Sequence, residues 1–87
     1  MKIYDYNGKK NICGEKVRQA RLMRRMSQSD LAAKLQLENV IIERDSISRI
    51  EAGTRFVTDY ELKILASVLS VDVLWLLENN DNFGKTL

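Results

Sequence analysis

The sequence predicts an all-α fold, a compact bundle of five short helices, and three observations carry that prediction. Proline is absent and glycine occurs only four times in 87 residues, which favours helix over turn-rich β structure. Apolar residues recur at helical spacing, most plainly Leu62, Leu65, Ala66 and Leu69 at i, i+3, i+4 and i+7. Two segments, Ser27 to Asp30 and Thr58 to Glu61, open apolar-periodic stretches with the residue types that cap helix N-termini.

The elements follow in order. The first helix is expected from about Gly14 to Arg25, with Val17, Ala20, Arg21 and Arg24 on one face. An arginine within such a stripe needs a partner. Ser27 caps a second helix, Gln28 to about Glu38, with Leu31, Ala32 and Leu35 inward, and Asn39 stops it because asparagine tolerates the left-handed conformation. In the connection Val40 to Glu43, Ile42 is expected to drop into the core. A third helix starts near Arg44 or Asp45 and ends at Gly53, with Ile47, Ile50 and Glu51 on one face and Asp45, Ser48, Arg49 and Ala52 on the other. Thr58 opens the fourth helix, and Asp72 caps a short fifth, Val73 to about Glu78. Helices 2 and 3 on either side of a brief connection are the layout of a helix-turn-helix domain, although periodicity alone also allows a generic bundle. Residues 1–11 read as a polar arm, 12–78 as the domain and 79–87 as a short polar tail.

Composition excludes several classes. No run approaches the ~18 apolar residues of a membrane span. The lysines near the N-terminus are not followed by the apolar stretch of a signal peptide, so a cytoplasmic location is expected. With one cysteine and no histidine, an intramolecular disulfide, a Cys/His zinc site and a His-based triad are all impossible. Neither a glycine-rich phosphate loop nor a paired-carboxylate site is visible, so no enzyme activity, cofactor, metal or small-molecule ligand is expected. Cys13 reads as a small core residue. Residues 1–58 carry 12 Lys/Arg against 7 Asp/Glu, and residues 59–87 carry 2 against 5. A basic front and an acidic back suit a protein with one face on an anionic polymer.

Four segments in this order decide between the alternatives. Met26 to Ala32 (Met-Ser-Gln-Ser-Asp-Leu-Ala), Ile47 to Gly53 (Ile-Ser-Arg-Ile-Glu-Ala-Gly) and the leucine-bearing Leu62–Ala66 and Val71–Leu77 resemble the phage-repressor/Cro-like (XRE) helix-turn-helix family over residues 12–78. One departure is the link: Leu35 to Ile47 encloses eleven residues, Gln36 to Ser46, more than in the family's commonest form. The extra length is expected to extend helix 2 by a turn and to lengthen the loop, which leaves the start of helix 3 open.

The resemblance implies a homodimeric transcription repressor or regulator on double-stranded DNA with a two-fold symmetric operator. Its recognition helix, about residues 44–52, would lie in the major groove, where each base pair shows a distinct donor/acceptor pattern. Arg49 and Arg44 suit a guanine edge, Asp45 a cytosine amine, and Ser46 and Ser48 bases or phosphates, with Ser46 assigned to phosphate. Gln28 matches the family position that contacts a phosphate, at a helix N-terminus that favours anions. Thr54 and Arg55 lie where the family's loop touches the backbone on the other side. Arg21 and Glu51 match a buried ion pair between helices 1 and 3, since either alone would be an unpaired buried charge. Ile64, Val68, Trp75 and Leu76 exceed what a small core can bury and are expected at a dimer contact. An antitoxin ranks second, because residues 79–87 are too short and polar for a partner-binding tail. A protein-interaction adaptor that never touches DNA is the rival of another class, and an enzyme ranks last.

Overall fold

Five helices follow one another in the computed structural model, which describes residues 6–78: α1 Gly14–Met23, α2 Gln28–Leu37, α3 Arg44–Ala52, α4 Asp59–Leu69 and α5 Val73–Leu77. No strand occurs among the described residues, only an isolated bridge between Tyr6 and Lys9. Helix α3 packs between α1 and α2, α4 lies against both of them, and α5 closes over α1 and α4. One core results. Val17, Ala20, Leu31, Leu35, Ile47, Ile50, Leu65, Leu69 and Leu76 are all wholly buried within it.

Local chemistry sets the helix starts. Ser27 Oγ accepts from the Asp30 amide (2.9 Å) and the Asp30 carboxylate accepts from the Ser27 amide (2.9 Å), so α2 opens on a complete capping box. Thr58 and Glu61 repeat the arrangement at α4 (3.3 and 3.0 Å). Helix α3 ends at Gly53, whose φ of +82° is the left-handed cap that glycine adopts without penalty. The close approach of α1 and α3 is specified by Gly14, where an added Cβ would collide with the Ile50 carbonyl oxygen.

The boundaries correct the sequence reading at two places. Helix α1 ends at Met23 rather than Arg25, because Arg25 turns left-handed (φ 57°) and the Met26 amide folds back onto the Arg21 carbonyl (3.1 Å). Helix α2 runs only two residues past Leu35, not a full turn. Asn39 (φ 63°) stops it, the Val40 amide returns to the Leu35 carbonyl (3.0 Å), and the added length lies in the link. There Val40 and Ile42 enter the core while Ile41 stays exposed.

The N-terminal arm is tied to the domain. Its described part, residues 6–11, is folded onto the domain. The Lys10 amide donates to the Gly53 carbonyl (2.8 Å). The Asn11 side chain donates to the Ile50 and Arg55 carbonyls (3.1 and 2.8 Å) and accepts from the Gly14 amide (2.8 Å). Asn11 thereby caps α1 and the end of α3 with one amide. Residues 1–5 and the tail 79–87 lie outside the described residues.

Candidate nucleic-acid interface

Helix α3 is two-faced. Ile47 and Ile50 are fully buried and fix its inner side. Arg44, Asp45, Ser48, Arg49 and Ala52 are exposed, and their helical spacing gathers them on the outer side. Half-buried Ser46 sits one turn before Arg49, and its Oγ accepts from an Arg49 terminal nitrogen (3.2 Å). That bond holds the guanidinium along the helix. Arg44 and Asp45 approach only to 3.6 Å and are 64% and 84% exposed, a pairing that water screens almost completely. Both are available to a ligand. Thr54, just past the cap, keeps its hydroxyl on the Arg49 carbonyl (3.3 Å).

Beneath this face lies a buried polar junction. Arg21 Nε donates to Glu51 Oε2 (2.7 Å) and an Arg21 terminal nitrogen to Glu51 Oε1 (3.0 Å), with side-chain exposures of only 9% and 5%. The fork-on-fork geometry is the strongest an ion pair adopts. Another Arg21 nitrogen donates to the Met26 carbonyl (2.8 Å). The Glu51 hydrogen bond holds the guanidinium pKa above its ordinary value against the opposing effect of burial. Gln28 joins from α2, donating to Glu51 Oε1 (3.1 Å). One carboxylate therefore ties α1, α2 and α3 together. A glutamine amide has two N–H groups, so Gln28 retains a second donor beyond the one spent on Glu51.

Two sequence-assigned residues lie elsewhere. Arg55 is paired within the domain. Its two terminal nitrogens donate to the two Glu61 oxygens (3.1 and 3.2 Å), and one also donates to the Phe56 carbonyl (2.9 Å). Burial pushes the Glu61 carboxyl up, but the Arg55 hydrogen bonds and the Thr58 amide outweigh it and hold the group below the usual glutamate value. Arg55 is thus a lock on the start of α4. Leu76 is wholly buried and cannot touch a partner. The apolar positions that α5 leaves to solvent are Leu74 and Leu77. Ile64, Val68 and Trp75 are half-buried against the core, and Lys16 lies over the Trp75 ring (4.5 Å to its centre).

Sequence reasoning missed two contacts with legible signals. Arg24, the second arginine in the α1 stripe, donates to the Leu69 and Ser70 carbonyls (2.9 and 3.0 Å). It caps the C-terminus of α4, where cations are favoured. Asn7-Gly8 is the strongest short hairpin code, and the bridge from Tyr6 to Lys9 is built on it.

The Cys13 thiol is buried, and burial pushes its pKa up to about 11, far from the thiolate that reactivity requires. No group of three His, Cys, Asp or Glu side chains among the described residues is placed to hold a metal. No described helix is long and apolar enough to cross a membrane.

A family model described as helix-turn-helix matches residues 17–76. No curated protein and no solved structure matches the chain. The matched span begins within α1, covers all of α2, α3 and α4, and closes on Leu76. With that match and an all-helical fold in which α3 turns a polar face outward, the chain belongs to the phage-repressor/Cro-like (XRE) helix-turn-helix family of DNA-binding regulators.

Proposed function

We propose that the protein is a homodimeric, sequence-specific DNA-binding repressor whose α3 enters the major groove. The observation that carries this reading is the outer face of α3. Arg44, Asp45, Ser48 and Arg49 stand exposed on a helix whose other side is locked by Ile47 and Ile50, and Ser46 steers Arg49. A helix packed on one side and presenting forked donors on the other is what base-edge recognition requires. Gln28, with its spare N–H, together with Ser46 and Thr54, supplies phosphate contacts that set register without reading sequence. Arg55 has no part in them.

The dimer would form through Ile64, Val68 and Trp75 together with the exposed Leu74 and Leu77. Two copies related by a two-fold axis would place both α3 helices in successive major grooves, about 34 Å apart. Occupying a promoter in this way would block polymerase sterically, and the protein would act in the cytoplasm.

The test is selection of binding sites from random duplexes, followed by affinity profiles for wild type and Arg49→Ala. Arg49→Ala should cost about 1–3 kcal/mol on the selected site and relax preference at one position per half-site. Retention of the wild-type base preference at every position would remove α3 as the reader. Sedimentation of wild type and Leu74→Glu addresses the dimer. A monomeric wild type at concentrations that saturate the site would sink it.

A further inference from the structure

Against the C-terminal end of α3 sits an element that lies before the helix-turn-helix match. Asn7 and Gly8 are both left-handed (φ 53° and 81°). The Tyr6 amide donates to the Lys9 carbonyl (2.7 Å) and the Lys9 amide to the Tyr6 carbonyl (3.0 Å). Residues 6–9 thus form a two-residue hairpin of the twist-matched kind that Asn-Gly encodes. An isolated hairpin of this size is marginal in water, so its order comes from what it rests on. It rests on the C-terminal end of α3, through the bond from the Lys10 amide to Gly53 and the Asn11 clamp described above.

Lys9 is placed by this seat. Its aliphatic stem lies so close over Gly53 that a Cβ there would stand 2.9 Å from Lys9 Cδ. Its ammonium approaches Glu15 only at 4.0 Å, with side-chain exposures of 48% and 70%, a contact too exposed to hold the charge. The stem is held and the head is open to solvent. The Lys9 stem therefore rests on the residue that precedes Thr54, at the end of α3, and Arg55, the next cation along that loop, is committed to Glu61. A lysine stem packed on the protein with its charged end in water is a favourable arrangement for a phosphate contact.

We propose that the Tyr6–Lys9 hairpin is a DNA-backbone clamp, in which the Lys9 ammonium binds a phosphate flanking the groove that α3 enters. The inference rests on the DNA-binding reading above. The clamp adds affinity and fixes the angle of α3 without reading bases. Its anchoring through Gly53 and Asn11 makes it rigid with the recognition helix.

The test compares wild type, Lys9→Met, Lys9→Arg and Gly8→Val on the selected duplex across a salt series. Lys9→Met keeps the stem over Gly53 and removes the charge. It should lower affinity several-fold on every sequence alike and reduce the slope of log affinity against log salt by about one unit per bound subunit. Base preference and melting temperature should not change, and Lys9→Arg should restore the slope. Gly8→Val, with a β-branched residue at φ 81°, breaks the turn and should reproduce the slope loss with Lys9 still present. Lys9→Met with the wild-type slope and affinity would overturn the clamp while leaving α3 as reader. A wild type that binds no duplex selectively would instead overturn the reading beneath it, and the clamp with it.

Discussion

Two arginine–glutamate pairs hold this small domain together, and they differ in what made each one necessary. Arg21–Glu51 joins α1 to α3 with both side chains nearly sealed from water. Arg55–Glu61 joins the loop after α3 to the first turn of α4, with the arginine 26% exposed. The distances are similar, but the origins are not. Arg21 and Glu51 stand on the apolar faces of two helices, where either charge alone would be buried without compensation. Arg55 stands in a loop, where nothing in the chain nearby demands a partner and solvent is a sufficient one. A charge on a helix's core face announces its pair, whereas a loop charge takes whichever partner the fold brings to it.

The comparison breaks first at the sealed pair. Arg21→Ala should destabilise the domain by about 3 kcal/mol, because Glu51 stays buried with only Gln28 as a neutral donor. Urea melts measure this, and a loss below about 1 kcal/mol, the scale of exposed pairs, would show that the junction is solvated. Removing both charges should recover part of the loss, since a neutral junction carries no orphaned ion.

Arg55→Ala should cost less, about 1–2 kcal/mol, because water reaches the guanidinium and Glu61 retains the Thr58 amide. The variant should keep the wild-type salt slope and base preference on DNA. A slope reduced by about one unit with unchanged stability would return Arg55 to the phosphate backbone and reverse the contrast between the two pairs.

The smallest effect is on pH. Glu61 is held below its ordinary value of 4.5 in the folded state. Its contribution is therefore present in full above the unfolded value and is lost as pH falls through the folded one. Asp30 is likewise held down, by the Ser27 amide and hydroxyl. With no histidine in the chain, stability should be level from about pH 6 to 8 and decline below about pH 4.5. In Arg55→Ala the acid decline should be shallower. An equal acid slope in wild type and variant, followed by circular dichroism, would show that Arg55 does not hold Glu61 ionised.

The sequence by itself determined which segments are helices, which faces of them are buried, and which helical charges must be paired. These are properties of spacing within a dozen residues, and they fixed α2, α3 and α4 to within a residue or two, the Gly53 and Asn39 stops, the burial of Ile42 and the outward display of Arg44, Asp45, Ser48 and Arg49. Tertiary structure alone decided where long-range partners lie. It sank Leu76 into the core while leaving Leu74 outside, set Arg24 on the end of α4 and seated the Asn7-Gly8 hairpin on α3. Asn11 reaches Ile50 and Arg55 across 39 and 44 residues. Periodicity and caps are local and repeat along the chain, so they can be read from it. A single hydrogen bond between distant residues leaves no period behind, and its energy appears only when the packed helices bring donor and acceptor together.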